Sequence, residues 1–329
     1  MIRVALIGTG SISGVHLRYL KSRDDVEIAA LCDIKADNLK RRQDEFGGQG
    51  FAEFEAMLDA AKPDAVWLCT PTGVRRDPLV ACAERGLPVL CEKPVARTVA
   101  DGEAIAGELA KRKARVQVGY VFRSMPIVTR AVETMADDRI DLAQSFYGCP
   151  VGLTRTLPAW FYDKAQSGGA LVDQATHNLD LLRMLVGEVA EVRGLASNPA
   201  APKTKDYSVD EVISLSLLFD SGAAGSHVHT WIGDRWRNEV LLVGRKRAYR
   251  LDLGKGVLVV DEGGRRLIHK QDSRQMYTHE NARFLEMVSS GDWSASPSDY
   301  EDGLKTLRLT LACDATIANG QAGNQAGRR

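Results

Sequence analysis

The feature that most limits how this chain can fold stands at its start. In "RVALIGTGSISG" an apolar run of strand length stops at Gly8, and a helical pattern opens within a few residues. Gly8 permits a tight turn. Gly10 lets backbone come close to a pyrophosphate, which then rests on the amide groups of the helix N-terminus. Position 13 of this fingerprint is usually Gly or Ala, so that helix and strand pack closely; here it is Ser13, still a small residue. Gly8, Thr9, Gly10, Ser11 and Ile12 are therefore the expected dinucleotide contacts, provided that a strand precedes them and a helix follows.

The rest of the first half meets that condition. Apolar runs at "RVALIG", "VEIAALCD", "DAVWLCT", "LPVLCE" and "RVQVGY" alternate with helical patterns at 11–22, 35–46, 53–61, 74–85 and 98–113. Strands apolar on both faces, alternating with helices, imply a doubly wound parallel sheet covered on both sides. Ligands of such sheets lie beyond the carboxyl ends of the strands. The second strand ends at Asp33, where a carboxylate can accept from both hydroxyls of an adenosine ribose and repel a 2′-phosphate. That favours NAD. Lys35, Lys40, Arg41 and Arg42 follow closely and keep NADP open. Thr70, Pro71 and Thr72 close the third strand as a turn, a helix cap or cofactor contacts. Glu92, Lys93 and Pro94 close the fourth. An ammonium at that strand end can hold and polarise a substrate oxygen, and Pro94 makes a cis bond conceivable.

The second half changes character. One helical pattern at 170–186 precedes strand-like runs at 189–196, 209–219, 223–231, 238–243, 247–253 and 256–261, and helical patterns at 277–290 and 299–318 follow. Turns such as "DSGAAG" and "DEGGRR" separate the runs, as hairpins require. The expected fold is thus α/β: an N-terminal Rossmann domain over 1–122, then an α/β domain over 123–318 with a large, mostly antiparallel, open-faced sheet. Residues 319–329 are expected to be a mobile tail. Strand runs such as "VISLSLLF" carry apolar residues on both faces with few helices to cover them, so a homodimer or homotetramer is expected.

Composition narrows the partners. Lys plus Arg and Asp plus Glu are 43 each among 329 residues, with no long basic run, which argues against nucleic acid and anionic membrane. No CxxC pair occurs among the six cysteines. Free thiols at strand ends (Cys32, Cys69, Cys91) suit a reducing cytoplasm.

A second polar constellation lies in "SGGALVDQATHNLDLLRMLVG". On a helical wheel Leu171, Ala175, Leu179, Leu182 and Val186 form one stripe, and Asp173, His177 and Asp180 face the other way, flanked by Leu181 and Met184. A covered Asp-x-x-x-His pair is an acid-base device, because histidine ordinarily titrates near neutrality. His227 and His229 share one strand face and lack an evident third ligand, so they are read as sheet residues and no metal is expected. Trp160, Phe161 and Tyr162 are either aromatic planes for a sugar or a core anchor. Tyr277 is a further substrate candidate.

In order along the chain, "GTGSISGVH", "CTPTGVRRD", "CEKPVA", "VGYVFR" and "GGALVDQATHNLDLLRMLVG" resemble the glucose–fructose oxidoreductase, inositol dehydrogenase and MocA (Gfo/Idh/MocA) family over nearly the whole chain. The resemblance implies an NAD(P)-dependent oxidoreductase acting on a secondary alcohol or ketone of a sugar, polyol or sugar derivative. It implies that Lys93 binds substrate oxygen, that His177 is the acid-base residue and that Asp173 contacts substrate and supports His177. Glu92 and Lys93 would approach the nicotinamide ribose and carboxamide, and Arg123 and Asp180 match recurrent site positions. The family often has histidine in the third-strand turn, where this chain has Arg75. The competing readings are a cofactor-binding redox sensor without turnover and an NADP-dependent imine or keto-sugar reductase.

Overall fold

The computed structural model describes residues 1–326. They form two compact units, one of Met1–Ser124 with Arg274–Leu307, the other of Met125–Ser273 with the chain from Arg308 onward.

The first unit is built on six strands, β1 (Ile2–Ile7), β2 (Val26–Cys32), β3 (Gln49–Phe51), β4 (Ala65–Leu68), β5 (Val89–Cys91) and β6 (Val116–Val118), in the order β3-β2-β1-β4-β5-β6. Every pairing is parallel. Val4, Leu6, Trp67 and Leu90 are fully buried, as strands covered on both faces require. The strand order reverses between β1 and β4, where Ile7 pairs with Leu68, so both strands exit at one level. That reversal is where such sheets bind ligands. β3 escapes a sequence reading because three residues, "QGF", carry no periodicity.

The division into units differs from a cut at 122. Phe284, on the helix Met276–Ser290, is buried edge-on to Trp67 of β4 at 4.9 Å, and Trp67 Nε1 donates to Asn281 Oδ1 at 2.7 Å. A late helix thus completes the core of the first unit, a long-range packing that no local pattern announces. The last helix runs from Tyr300 to Ala326, so the segment expected to be a mobile tail is helical to that point. Its final residues, 327–329, lie outside the described residues.

The second unit carries eight strands, β7 (Ile140–Gly148), β8 (Val189–Ser197), β9 (Val212–Phe219), β10 (Ala224–Thr230), β11 (Arg237–Gly244), β12 (Ala248–Asp252), β13 (Val257–Glu262) and β14 (Arg265–Lys270). Their order is β14-β13-β12-β11-β7-β10-β9-β8. All pairings are antiparallel except β7 with β10. The sheet is mostly antiparallel, as expected. β7, however, lies near its middle and was not foreseen, because Asp141, Gln144 and Ser145 interrupt its apolar residues. The helix Pro126–Met135 and β14 were also missed.

One sheet face is buried. The other is open. Leu218, Ala224, Leu142 and Val243 form one cross-strand row, and the three large side chains are 43, 37 and 39% exposed. The next row runs Ser216, Ser226, Gln144, Leu241, Arg250, Val259 and Ile268.

Phe284→Ala should cost the protein about 3–5 kcal/mol, the usual effect of emptying a buried aromatic site. Equilibrium urea unfolding measures it. A loss under about 1 kcal/mol, the range typical of surface changes, would mean that the late helix is no part of that core.

Candidate active site

The glycine turn shows why its residues are what they are. Gly8 has φ of 92°, and a Cβ there would lie 2.8 Å from the Cys69 carbonyl at the exit of β4. Only glycine fits that backbone approach. At Gly10 a Cβ would meet no atom within 4 Å. Packing of the chain itself therefore does not require glycine there, whereas a pyrophosphate lying on the turn does. Ser13 is buried, and its hydroxyl donates to Gly10 O at 2.7 Å, so the helix stays close with no unpaired polar group. Thr70 Oγ1 is a buried polar atom without a partner in the protein. A bare turn and an orphaned hydroxyl at neighbouring strand exits fit a bound dinucleotide.

Asp33 ties the turn to the exit of β2. Its Oδ2 accepts from Thr9 N at 2.7 Å and Thr9 Oγ1 at 2.9 Å, and its Oδ1 accepts from Lys35 N at 2.8 Å. Three of about four acceptor sites on the carboxylate are used, which leaves room for a ribose hydroxyl. Arg42 lies beneath the turn, donating to Gly10 O and Ser11 O at 3.0 and 3.3 Å and pairing with Glu45. Lys40 pairs with Asp44 on its own helix. Two of the four cations near Asp33 are thus engaged within the protein.

The exits of β4 and β5 are joined by one side chain. Arg75 is buried; its guanidinium donates to the carbonyls of Glu92 and Pro94, to Lys93 O at 3.4 Å, and to Thr70 O at 3.1 and 2.9 Å. The Lys93–Pro94 bond is cis. Arg75 therefore does more than depart from a family pattern: it holds the Thr70 and Lys93 turns in one fork. Lys93 is half-buried. Glu92 is buried, with Oε1 3.0 Å from His16 Nε2 and Oε2 accepting from Lys93 N at 3.2 Å. Burial alone would raise the Glu92 carboxyl; the bond to His16 and the charges of His16, Lys93 and Arg75 outweigh it and hold it below its ordinary value.

Two other expected residues of this unit are engaged in it. Arg123 Nη1 pairs with Asp302 at 2.6 Å and donates to Pro297 O at 2.7 Å. The Tyr277 ring stands edge-on to His16 at 5.8 Å, and its carbonyl accepts from Asn281 Nδ2.

In the second unit the Asp-x-x-x-His segment is not one regular helix. Leu171–Ala175 forms a wider π-turn, and the α-helix Thr176–Val186 follows. Such turns are rare and recur at functional sites. Asp173 lies in the π-turn and is partly exposed; His177 and Asp180 lie in the α-helix and are buried. Two side chains beside His177 fix its backbone. Asn178 and Asn238 of β11 exchange both amide bonds at 2.9 Å, and the hydroxyls of Thr176 and Thr310 meet at 3.1 Å. Sequence reasoning missed Asn178, although it stands in the quoted motif. Its partner lies 60 residues away.

The aromatic loop divides between its two readings. Phe161 stacks on Trp231 at 5.1 Å and Tyr162 on Tyr207 at 5.8 Å, both as core anchors, while Trp160 is 51% exposed. His227 and His229 lie on the buried sheet face, the former 2.7 Å from Ser145 Oγ. Burial pushes His227 down to about 3 and His229 well below its ordinary value, so both are neutral imidazoles. Among the described residues the one group with metal-ligand spacing is His16, Glu92 and Glu280.

Fold and strand exits together define an NAD-binding oxidoreductase. Residues 2–120 match the oxidoreductase family with NAD-binding Rossmann fold, and residues 138–250 match the GFO/IDH/MocA C-terminal domain. The chain belongs to the GFO/IDH/MocA family. It is 27% identical over 336 residues to myo-inositol 2-dehydrogenase of Thermotoga maritima, covering 96% of each chain. It is 31% identical over 191 residues to the rhizopine catabolism protein MocA of Rhizobium meliloti, a match spanning 56% of this chain and 57% of that protein. Among solved structures, levoglucosan dehydrogenase in complex with NADH and levoglucosan superposes with a TM-score of 0.84 at 21% identity, covering 97% of both chains.

Arg75→Ala would leave the carbonyls of both turns without their shared donor, at about 1–3 kcal/mol for each buried group left unpaired. NADH affinity, read by fluorescence titration, should fall at least tenfold. Arg75→Lys should restore only part of it, because an ammonium lacks the planar fork. Unchanged affinity in Arg75→Ala would remove the residue from this role.

Proposed function

We propose that the enzyme oxidises a secondary hydroxyl of a sugar, polyol or sugar derivative to a ketone, or runs the reverse, with NAD preferred. The observation that carries this reading is the strand-exit set of the first unit: bare Gly10, Asp33 on the glycine turn, and Lys93 held by Arg75. The names of the similar proteins, inositol and levoglucosan dehydrogenases, support the substrate class.

Gly8 to Ile12, Asp33, Thr70 to Thr72 and Glu92 would hold the cofactor. When bound, nicotinamide supplies the hydride acceptor or donor. Lys93 stabilises negative charge on the substrate oxygen, His177 takes the hydroxyl proton, and Asp173 keeps substrate and imidazole aligned. A lysine in that position supplies the positive charge that a zinc ion supplies in other alcohol dehydrogenases. Trp160, Asp180, Tyr277 and Arg123 are assigned to the substrate side, with the exposed Trp160 ring the best placed to meet a sugar face. All six cysteines are free and buried, which suits a reducing, cytoplasmic setting. Among the described residues no helix is long and apolar enough to cross a membrane.

Lys93→Ala and His177→Ala should each lower turnover about 10²–10⁴-fold, the usual worth of a positioned acid-base group. NADH titration should show the His177 variant still binding cofactor. A His177 variant with full turnover on a polyol panel would strip that residue of the proton. No absorbance change with any polyol would favour a redox sensor, and tighter binding of NADP than NAD would overturn the argument from Asp33.

The open sheet face is assigned to self-association. The row Leu218, Leu142 and Val243 exposes large apolar side chains beside a second row ending in Ile268, a patch that water covers poorly. Light scattering should report a dimer or tetramer at micromolar concentration, and Leu142→Glu should shift it towards monomer. A monomeric wild type would rule the assignment out.

A further inference from the structure

Three buried polar side chains around Glu92 in the first unit, His16, Glu280 and Asn281, have no part in the reaction as proposed. His16, on the helix Ser13–Lys21, is fully buried with a partner on each ring nitrogen: Asn281 Oδ1 at 3.0 Å from Nδ1, and Glu92 Oε1 at 3.0 Å from Nε2. The orientation of Asn281 is decided by its other bonds. Trp67 Nε1 donates to the same Oδ1 at 2.7 Å, and Nδ2 donates to Tyr277 O at 2.6 Å. Oδ1 is therefore an acceptor, so His16 Nδ1 carries a proton. Glu92 accepts from Lys93 N and lies 3.0 Å from His16 Nε2, and its surroundings hold its carboxyl below the ordinary value. His16 and Glu92 thus share one buried contact, Nε2 to Oε1 at 3.0 Å.

Glu280 stands beside this pair. It is 1% exposed, and neither carboxyl oxygen has a hydrogen-bond partner. A ligating oxygen of Glu280 lies within 4.8 Å of those of His16 and Glu92. A buried carboxylate with no donor is far more costly than the neutral acid. Burial, and then the charge of Glu92, push Glu280 well above its ordinary value. The spacing would also suit a cation, but His16 Nε2 is already engaged with Glu92 Oε1.

We propose that His16 and Glu280 are positioning residues for the Glu92-Lys93 turn: the His16 ring grips the Glu92 carboxyl through Nε2, and Glu280, kept as a neutral acid, leaves that contact undisturbed. The inference rests on the reading that this turn meets the nicotinamide. Loss of the Glu280 proton sets a second anion beside Glu92, and the two compete for one histidine ring. The other charged or titratable groups around them are Cys69 and Cys91 at the exits of β4 and β5, Lys93 and Arg75 around Glu92, and Tyr277 against His16. Burial raises both thiols and the arginine keeps its charge; the Lys93 ammonium, the Tyr277 hydroxyl and the His16 ring also bear protons, so Glu280 is singled out by comparing the wild type with Glu280→Gln.

The sign follows from the raised value. A neutral Glu280 persists at neutral pH, and what it contributes is lost as pH rises through its folded-state value. Infrared spectra of the wild type at neutral pH should contain the carbonyl stretch of a buried protonated carboxyl, absent from Glu280→Gln. NADH affinity of the wild type should fall on the alkaline side by up to about tenfold per pH unit, for one proton lost. Glu280→Gln should lose that fall, and His16→Gln should bind at least tenfold more weakly at every pH. A missing carbonyl band, an alkaline fall that survives in Glu280→Gln, or a stoichiometric divalent metal found by elemental analysis would each overturn the proposal. A wild type that binds no NADH at any pH would instead defeat the reading of the turn, and the infrared band would still decide the state of Glu280.

Discussion

The first unit depends on one buried guanidinium. Strand exits in a parallel sheet end in carbonyl groups that have left the ladder, and a cofactor-binding end cannot cover them with more sheet. Arg75 satisfies several at once, from Thr70, Glu92, Lys93 and Pro94. A buried cation is costly unless hydrogen-bonded, and a planar fork meeting fixed carbonyl oxygens meets that condition. Lys93, the residue expected to touch substrate oxygen, is thereby set by a group that need not touch substrate itself.

A second constraint comes from close backbone approach. Gly8 lies against the Cys69 carbonyl, and Ile7 pairs with Leu68, so the exits of β1 and β4 lie side by side at the strand-order reversal. Asp33 then bonds Thr9 from the next strand over. The Asp33 carboxylate ties the glycine turn to the exit of β2, and Arg75 ties the Thr70 turn to the Lys93 turn, so two side chains cross-link four loops in pairs.

Residues proposed to meet cofactor or substrate and residues that hold them differ in how visible they are beforehand. Gly8, Gly10, Asp33, Lys93, Asp173 and His177 stand at strand ends or in a helix pattern, where chemistry and spacing single them out. His16, Asn178, Asn238, Glu280 and Asn281 have no such mark. His16 meets Asn281 across 265 positions, and Asn178 meets Asn238 across 60. β7 was hidden for a related reason: its polar residues are paired or placed by strands far along the chain, as Ser145 is by His227.

By itself the sequence determined the parallel domain, the largely antiparallel sheet and the dinucleotide turn, and it named the candidate residues for proton chemistry. These follow from local periodicity and from glycine's conformational freedom, which depend on near neighbours. Only the tertiary structure decided that residues 274–307 belong with the first unit, that the Asp173 segment is a π-turn, and that Arg75 and His16 grip the Glu92-Lys93 turn. Those features arise from contacts between residues distant in the chain. Burial and charge are settled there by what each side chain meets, and the one-dimensional order does not contain it.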